Sequence, residues 1–171
     1  MTPDDLVVGP WGARFRGRRF ACSIGRGGIT SAKREGDGAT PAGSHAIVGC
    51  LYRADRLARV DLPAWAQPIG PGDLWSDDSR DADYNHLVTT PHGWSHERLR
   101  RADPQYDLVL ATDWNWPEAV PGMGSAIFLH VWRRPRRPTA GCVAFSRGDL
   151  LWIAQRLRPS SRLIVQDGGQ A

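Results

Sequence analysis

The chain has 171 residues and a mass of 18.9 kDa, enough for one domain over residues 1–171, and its 41% hydrophobic and 23% charged content excludes a disordered or fibrous protein. Every apolar run is cut by Arg, Asp, Gly or Pro, which excludes a membrane span, and Gly 19 with Pro 13 favours a turn-rich β architecture over a helical bundle. The net charge of +4 is carried by arginine, gathered at Arg14, Arg16, Arg18 and Arg19, at Arg98, Arg100 and Arg101, and at Arg133, Arg134, Arg136 and Arg137; it reads as a solvated basic surface for anionic partners, with no nucleic-acid role assigned.

Met1-Thr2-Pro3-Asp4-Asp5-Leu6 lacks the basic and apolar segments of a secretory signal. The chain therefore reads as a cytoplasmic protein, a mature form, or one exported by another route. Residues 15–24 and 45–52 read as short strands, and the Gly-rich segment between them, 25–43, as a long ordered loop of the kind that is usually functional. Cys22 and Cys50 sit in apolar contexts and read as buried free thiols, a disulfide between them remaining open for an exported protein. Residues 61–105 read as irregular, with Trp65, Trp75 and Trp94 either pinning the segment to the core or lining a groove, and as open to acting as a lid. Within them residues 95–100 read as one short helix with Ser95 as N-cap. Tyr84-Asn85, beside an acidic run, reads either as a substrate contact or as a core tyrosine with a turn asparagine.

Residues 106–112 read as a central strand and 127–131 as its neighbour. Ser146-Arg147-Gly148-Asp149 is a capping box that opens a helix to Leu157, ended by Pro159, before a last strand over 162–166. The fold class is thus α+β, mainly β, with one good helix.

The chemistry gathers near the end of the chain. Ile127-Phe128-Leu129-His130 delivers a histidine at a strand end, and Cys142 follows twelve residues later in Thr139-Ala140-Gly141-Cys142. A cysteine attacks only as thiolate, so it needs an imidazole to take its proton. Gly141 removes bulk beside the sulfur, the Gly141 and Cys142 N–H groups are candidate oxyanion donors, and the helix that follows offers its positive end to the thiolate. Arg133 and Arg134 read as guanidinium forks for substrate carboxylates, or as an exposed loop, and Thr139 as a further substrate contact. His86, His92 and His96 lie close in sequence, but no spacing completes a zinc site; no metal and no cofactor are assigned.

These residues resemble the L,D-transpeptidase catalytic domain, the YkuD-type fold, whose members carry a histidine upstream of a Ser/Thr-x-Gly-Cys segment. Gly36-Asp37-Gly38-Ala39-Thr40-Pro41-Ala42-Gly43 resembles the same family's Gly-Asp-x-x-Thr-Pro-x-Gly signature, and the likeness covers roughly residues 15–157. The resemblance implies a β-sandwich with a helix after the cysteine loop. It also implies a monomer of the cell envelope or periplasm that acts on peptidoglycan stem peptides through Cys142 and His130, and inhibition by carbapenems at Cys142. Val131 after His130, the short interval to Cys142, and Val143-Ala144 depart from the commoner pattern. They resemble a branch in which L-alanine of the stem is the donor, giving 1–3 rather than 3–3 links.

Two rivals stand beside it. A papain-like peptidase uses the same pair, but its cysteine precedes its histidine, the reverse of the order here. A non-catalytic wall- or nucleic-acid-binding module would use the arginines and leave Cys142 inert.

Overall fold

The structure, a computed structural model, describes residues 1–168. In chain order the strands are β1 Leu6–Gly9, β2 Gly12–Phe15, β3 Arg18–Phe20, β4 Cys22–Ser23, β5 Ile29–Thr30, β6 Thr40–Pro41, β7 Gly43–Tyr52 and β8 Gln67–Pro68. They continue with β9 Asp73–Ser76, β10 Leu87–Thr89, β11 His96–Arg98, β12 Leu108–Thr112, β13 Phe128–Val131, β14 Val143–Phe145 and β15 Arg162–Val165. The helix α1, Arg147–Ala154, lies between β14 and β15.

Ten strands form one sheet in the order β3-β2-β1-β15-β7-β12-β13-β14-β4, with β8 paired to β7 at its side. Its two end strands, β3 and β4, are separated in the chain only by Ala21, so the sheet bends round on itself. The bend encloses the main core, where Leu6, Val8, Phe15, Leu108, Leu110, Leu129, Val143 and Phe145 meet Leu150, Ile153 and Ala154 of α1. A second sheet, β10-β9-β11, covers the opposite face of β12 and β13. There Trp75 stands edge-on to Phe128 at 5.0 Å, and Leu99, Tyr106, Val109 and Ala111 complete a smaller core. The result is a sandwich, mainly β with one short helix. Strand alternation explains it: Leu108 and Leu110 point one way, Val109 and Ala111 the other, and all four are fully or nearly fully buried.

The central strand, its antiparallel neighbour β13, the strand at 45–52 and the last strand fall where the sequence predicts them. Ser146 caps α1, accepting from the Asp149 N–H at 3.1 Å and donating to Asp149 Oδ2 at 2.7 Å. The helix stops at Ala154 rather than Leu157, because the N–H groups of Arg156 and Leu157 turn to carbonyls three residues back.

Three expectations are corrected. Residues 61–105 are not irregular throughout, since β9, β10 and β11 form a three-stranded sheet within them. Residues 15–24 are not one strand: Arg16 (φ 47) and Gly17 (φ 75) make a two-residue turn with both φ positive, the geometry that joins tightly twisted antiparallel strands. Residues 95–100 are not a helix. His96–Arg98 pairs antiparallel with β9, and Trp75 sits opposite Glu97 in that pairing. All three cysteines are free; burial pushes the Cys22 and Cys50 thiols up to about 12.

Candidate active site

Alternation along β13 sends Leu129 and Val131 into the main core and Phe128 and His130 to the opposite face. β14 runs parallel to β13 with Leu129 opposite Val143 and His130 opposite Ala144. Val143 and Phe145 also point into the main core, so Ala144, and Cys142 one position before the strand, share the face of His130. Two neighbouring strands therefore deliver the thiol and the imidazole to one side of the sheet.

The sulfur is held by main chain. Cys142 Sγ donates to the Ala126 carbonyl at 3.0 Å and accepts from the Phe128 N–H at 3.4 Å. Asn85 fixes Ala126 in turn. Its Oδ1 accepts from the Ala126 N–H at 2.9 Å and from Trp75 Nε1 at 3.0 Å, and its Nδ2 donates to the Trp114 and Asn115 carbonyls at 3.0 and 2.7 Å. Every polar site of that amide is used. Tyr84 is also buried, its hydroxyl donating to Glu35 and accepting from the Gly124 N–H at 3.1 Å. Of the two readings of Tyr84 and Asn85, their contacts are those of a core tyrosine and a turn asparagine: they brace the 115–126 segment that carries Ala126, and neither is among the residues lining the cavity around Cys142.

His130 Nδ1 lies 2.8 Å from the Val131 carbonyl. A carbonyl only accepts, so the proton sits on Nδ1 and Nε2 keeps its lone pair. Tyr106 stands edge-on to the imidazole at 5.4 Å, and its hydroxyl donates to Glu97. Burial holds the His130 pKa below its ordinary value. Burial, with the Glu97 charge adding to it, pushes the Cys142 thiol up to about 12. The resting pair is a neutral thiol and a neutral imidazole.

The loop before Cys142 is tied to the distant glycine-rich signature. Thr40 Oγ1 accepts from the Gly25 N–H at 2.8 Å and donates to the Gly141 carbonyl at 2.8 Å, across 101 positions of sequence. A Cβ at Gly141 would stand 3.0 Å from the Ala39 carbonyl, and its φ of +147° lies where side chains are rarely found. Glycine is thus required there by the packing of the two motifs, a different reason from the substrate clearance that the sequence suggests. Asp37 shapes the signature itself. Burial opposes its charge, yet hydrogen bonds from Lys33 and the Ala39 and Arg34 N–H groups outweigh this and hold its carboxyl below the usual range.

Thr139 Oγ1 donates to the Cys142 carbonyl at 2.6 Å and accepts from the Gly141 N–H at 3.1 Å. The Gly141 N–H is therefore occupied in this state and is not an open oxyanion donor. The helix end is also not beside the sulfur: β14 lies between Cys142 and α1, about 3.3 Å per residue, whereas a helix terminus acts over about its first turn.

A cavity of about 950 Å³ opens over this face. Its lining includes Cys142, His130, Thr139, Arg133, Arg26 and Glu97, with Arg101 and Arg137 also at its wall, but Arg134 is not part of it. Glu97 and Tyr106, which bear directly on the pair, go unread in the sequence because residues 95–100 look helical; as a strand, residue 97 falls on the face toward β12 and β13. Among the described residues no three metal-ligating side chains converge. His92 Nε2 instead lies 2.9 Å from Asp81, His92 and His96 stack edge-on at 5.7 Å, and His86 leans on Trp116 at 6.4 Å.

No curated protein sequence matches the chain. A family model does: that of the L,D-transpeptidase catalytic domain, YkuD, over residues 12–165.

Proposed function

The chain belongs to the L,D-transpeptidase catalytic domain family, and on that premise we propose that it cross-links peptidoglycan stem peptides, with Cys142 as nucleophile and His130 as general base. The observation that supports this reading is the placement of both side chains on one face of the paired strands β13 and β14, at the wall of an arginine-lined cavity.

In the resting state the thiol proton points to the Ala126 carbonyl. Substrate binding turns it to His130 Nε2, and the thiolate adds to the carbonyl carbon of the donor residue. The oxyanion takes the Cys142 N–H, and takes the Gly141 N–H once Thr139 releases it. Collapse breaks the peptide bond, the departing amine takes the proton from the imidazolium, and a thioester remains. An amine of a second stem, that of diaminopimelate, then attacks the thioester, gives its proton to His130 and frees the thiolate. General acid–base help of this kind is worth about 10²–10⁴-fold, and one oxyanion donor about 10²–10³-fold.

Arg133 and Thr139 contact the stem, with Arg26 and Arg137 holding its carboxylates. The short interval from His130 to Cys142 and the apolar Val143-Ala144 favour L-alanine as donor and 1–3 links over 3–3 links. Water in place of the amine makes the same site a carboxypeptidase or endopeptidase. The place of action is the cell envelope; among the described residues no helix is long and apolar enough to cross a membrane.

A second reading, a binding domain with an inert thiol, draws on the elevated Cys142 pKa. Mass spectrometry of muropeptides incubated with the protein and with Cys142→Ala decides between them. Dimers made only by the unsubstituted protein, and a carbapenem adduct on Cys142, are expected, with fragmentation naming the donor. Shortened monomers alone mean hydrolysis. Unchanged muropeptides and no adduct, with both proteins folded, mean binding without catalysis.

A further inference from the structure

The cavity over Cys142 is unevenly charged. Arg26, Arg133 and Arg137 face it, and among the described residues no carboxylate lies within ion-pair distance of any of the three. The one acidic side chain in the lining is Glu97, carried inward by β11. Glu97 Oε2 accepts from the Tyr106 hydroxyl, and among the described residues no donor reaches Oε1. Arg101 acts on Glu97 through its charge and lies over the Tyr106 ring at 5.3 Å, but it gives its fork to Asp103, at 3.0 and 2.7 Å. Glu97 is half-buried at the cavity wall with one neutral hydroxyl as its hydrogen-bond partner, an arrangement that favours a cation arriving from the cavity.

The geometry points to Glu97 as the residue that selects an amine-bearing substrate, so that the cavity takes a zwitterionic amino-acid terminus with its ammonium on Glu97 and its carboxylate on the unpaired arginines. This rests on the transfer reading above and assigns the recognition of its amine to one residue. It also explains why a nucleophile would sit beside a negative charge. Burial raises the Glu97 carboxyl, and Glu97 in turn opposes ionisation of Cys142. An ammonium bound to Glu97 cancels that opposition, so the thiol is quiet in the empty cavity and released when the right substrate arrives. Glu97 makes and breaks no bond; it binds and biases.

The test is calorimetric titration of the whole chain with meso-diaminopimelate and with pimelate, the same dicarboxylate lacking both amines. Tighter binding of diaminopimelate by tenfold or more is expected, and Glu97→Gln is expected to erase that preference while speeding alkylation of Cys142 by iodoacetamide several-fold. A structural role for Glu97 alone would move neither the preference nor the alkylation rate in that direction. Equal affinity for the two ligands, binding of neither, or a preference that survives in folded Glu97→Gln overturns the assignment. If Glu97→Gln fails to fold, the comparison of ligands on the unsubstituted chain still decides. No turnover is needed, so failure here is distinct from failure of the transfer reading, which the muropeptide experiment reports.

Discussion

The two faces of β12 and β13 are built from alternate residues of the same strands and have opposite characters. One carries Leu108, Leu110, Leu129 and Val131 and packs against Leu150, Ile153 and Ala154 of α1. The other carries Val109, Phe128 and His130 beside Cys142 and is covered by a small separate sheet that leaves a cavity. The first face spends its side chains on stability. The second gives up part of its packing to leave a cavity at whose wall a thiol and a buried imidazole sit. A strand that serves both ends can do so because its side chains alternate, so neither task constrains the other.

That division can be broken from either side. Leu129 is completely buried, and Leu129→Ala should cost about 2–5 kcal/mol in urea unfolding. Cys142→Ala, on the other face, should change stability by less than about 1 kcal/mol. A reversal of that order would mean that the faces are not separate in function. Asn85→Ala removes the amide that holds Ala126 and Trp75 and is expected to cost about 1–3 kcal/mol, measured as a lower urea midpoint. Asn85→Asp, which keeps the accepting oxygen, should lose less.

The smallest effect sharpens the electrostatic half of the comparison. The Cys142 pKa is raised in the fold, so the thiol's contribution to stability is full below about pH 9 and is lost as pH rises toward about 12. Alkylation of Cys142 in the empty protein should therefore climb about tenfold per pH unit and keep climbing past pH 10. A plateau near pH 7 would show a thiolate–imidazolium pair already formed without substrate.

Much of this is legible in the sequence. The near-continuous apolar run at 106–112, the histidine at the end of 127–131 and the Ser146 capping box all come from periodicity and local chemistry, which the tertiary structure left alone. The glycine-rich signature at 36–43 stands out only through a resemblance, and the bond from Thr40 to Gly141 is a finding of the structure; nothing in either segment announces a hydrogen bond across 101 positions. Residues 95–100 look helical because Ser95 resembles a cap and no Gly or Pro breaks the run. The β9 edge decided otherwise, and only that edge brings Glu97 into the cavity. Arg16-Gly17 is a turn signal between Phe15 and Phe20 that divides what reads as one strand into β2 and β3. The arginine run reads as a rim of the site because it lies between His130 and Cys142; of that run Arg133 and Arg137 line the cavity and Arg134 does not.

The acceptor of the His130 Nδ1 proton is the Val131 carbonyl, an atom that every amino acid possesses. Where a side-chain carboxylate holds an imidazole, one codon change can remove it. Here no point mutation can delete the partner; only a change in the path of the backbone can. The tautomer of His130 is therefore inherited with the strand rather than with any residue, and sequence drift at position 131 can alter packing without altering which ring nitrogen is free.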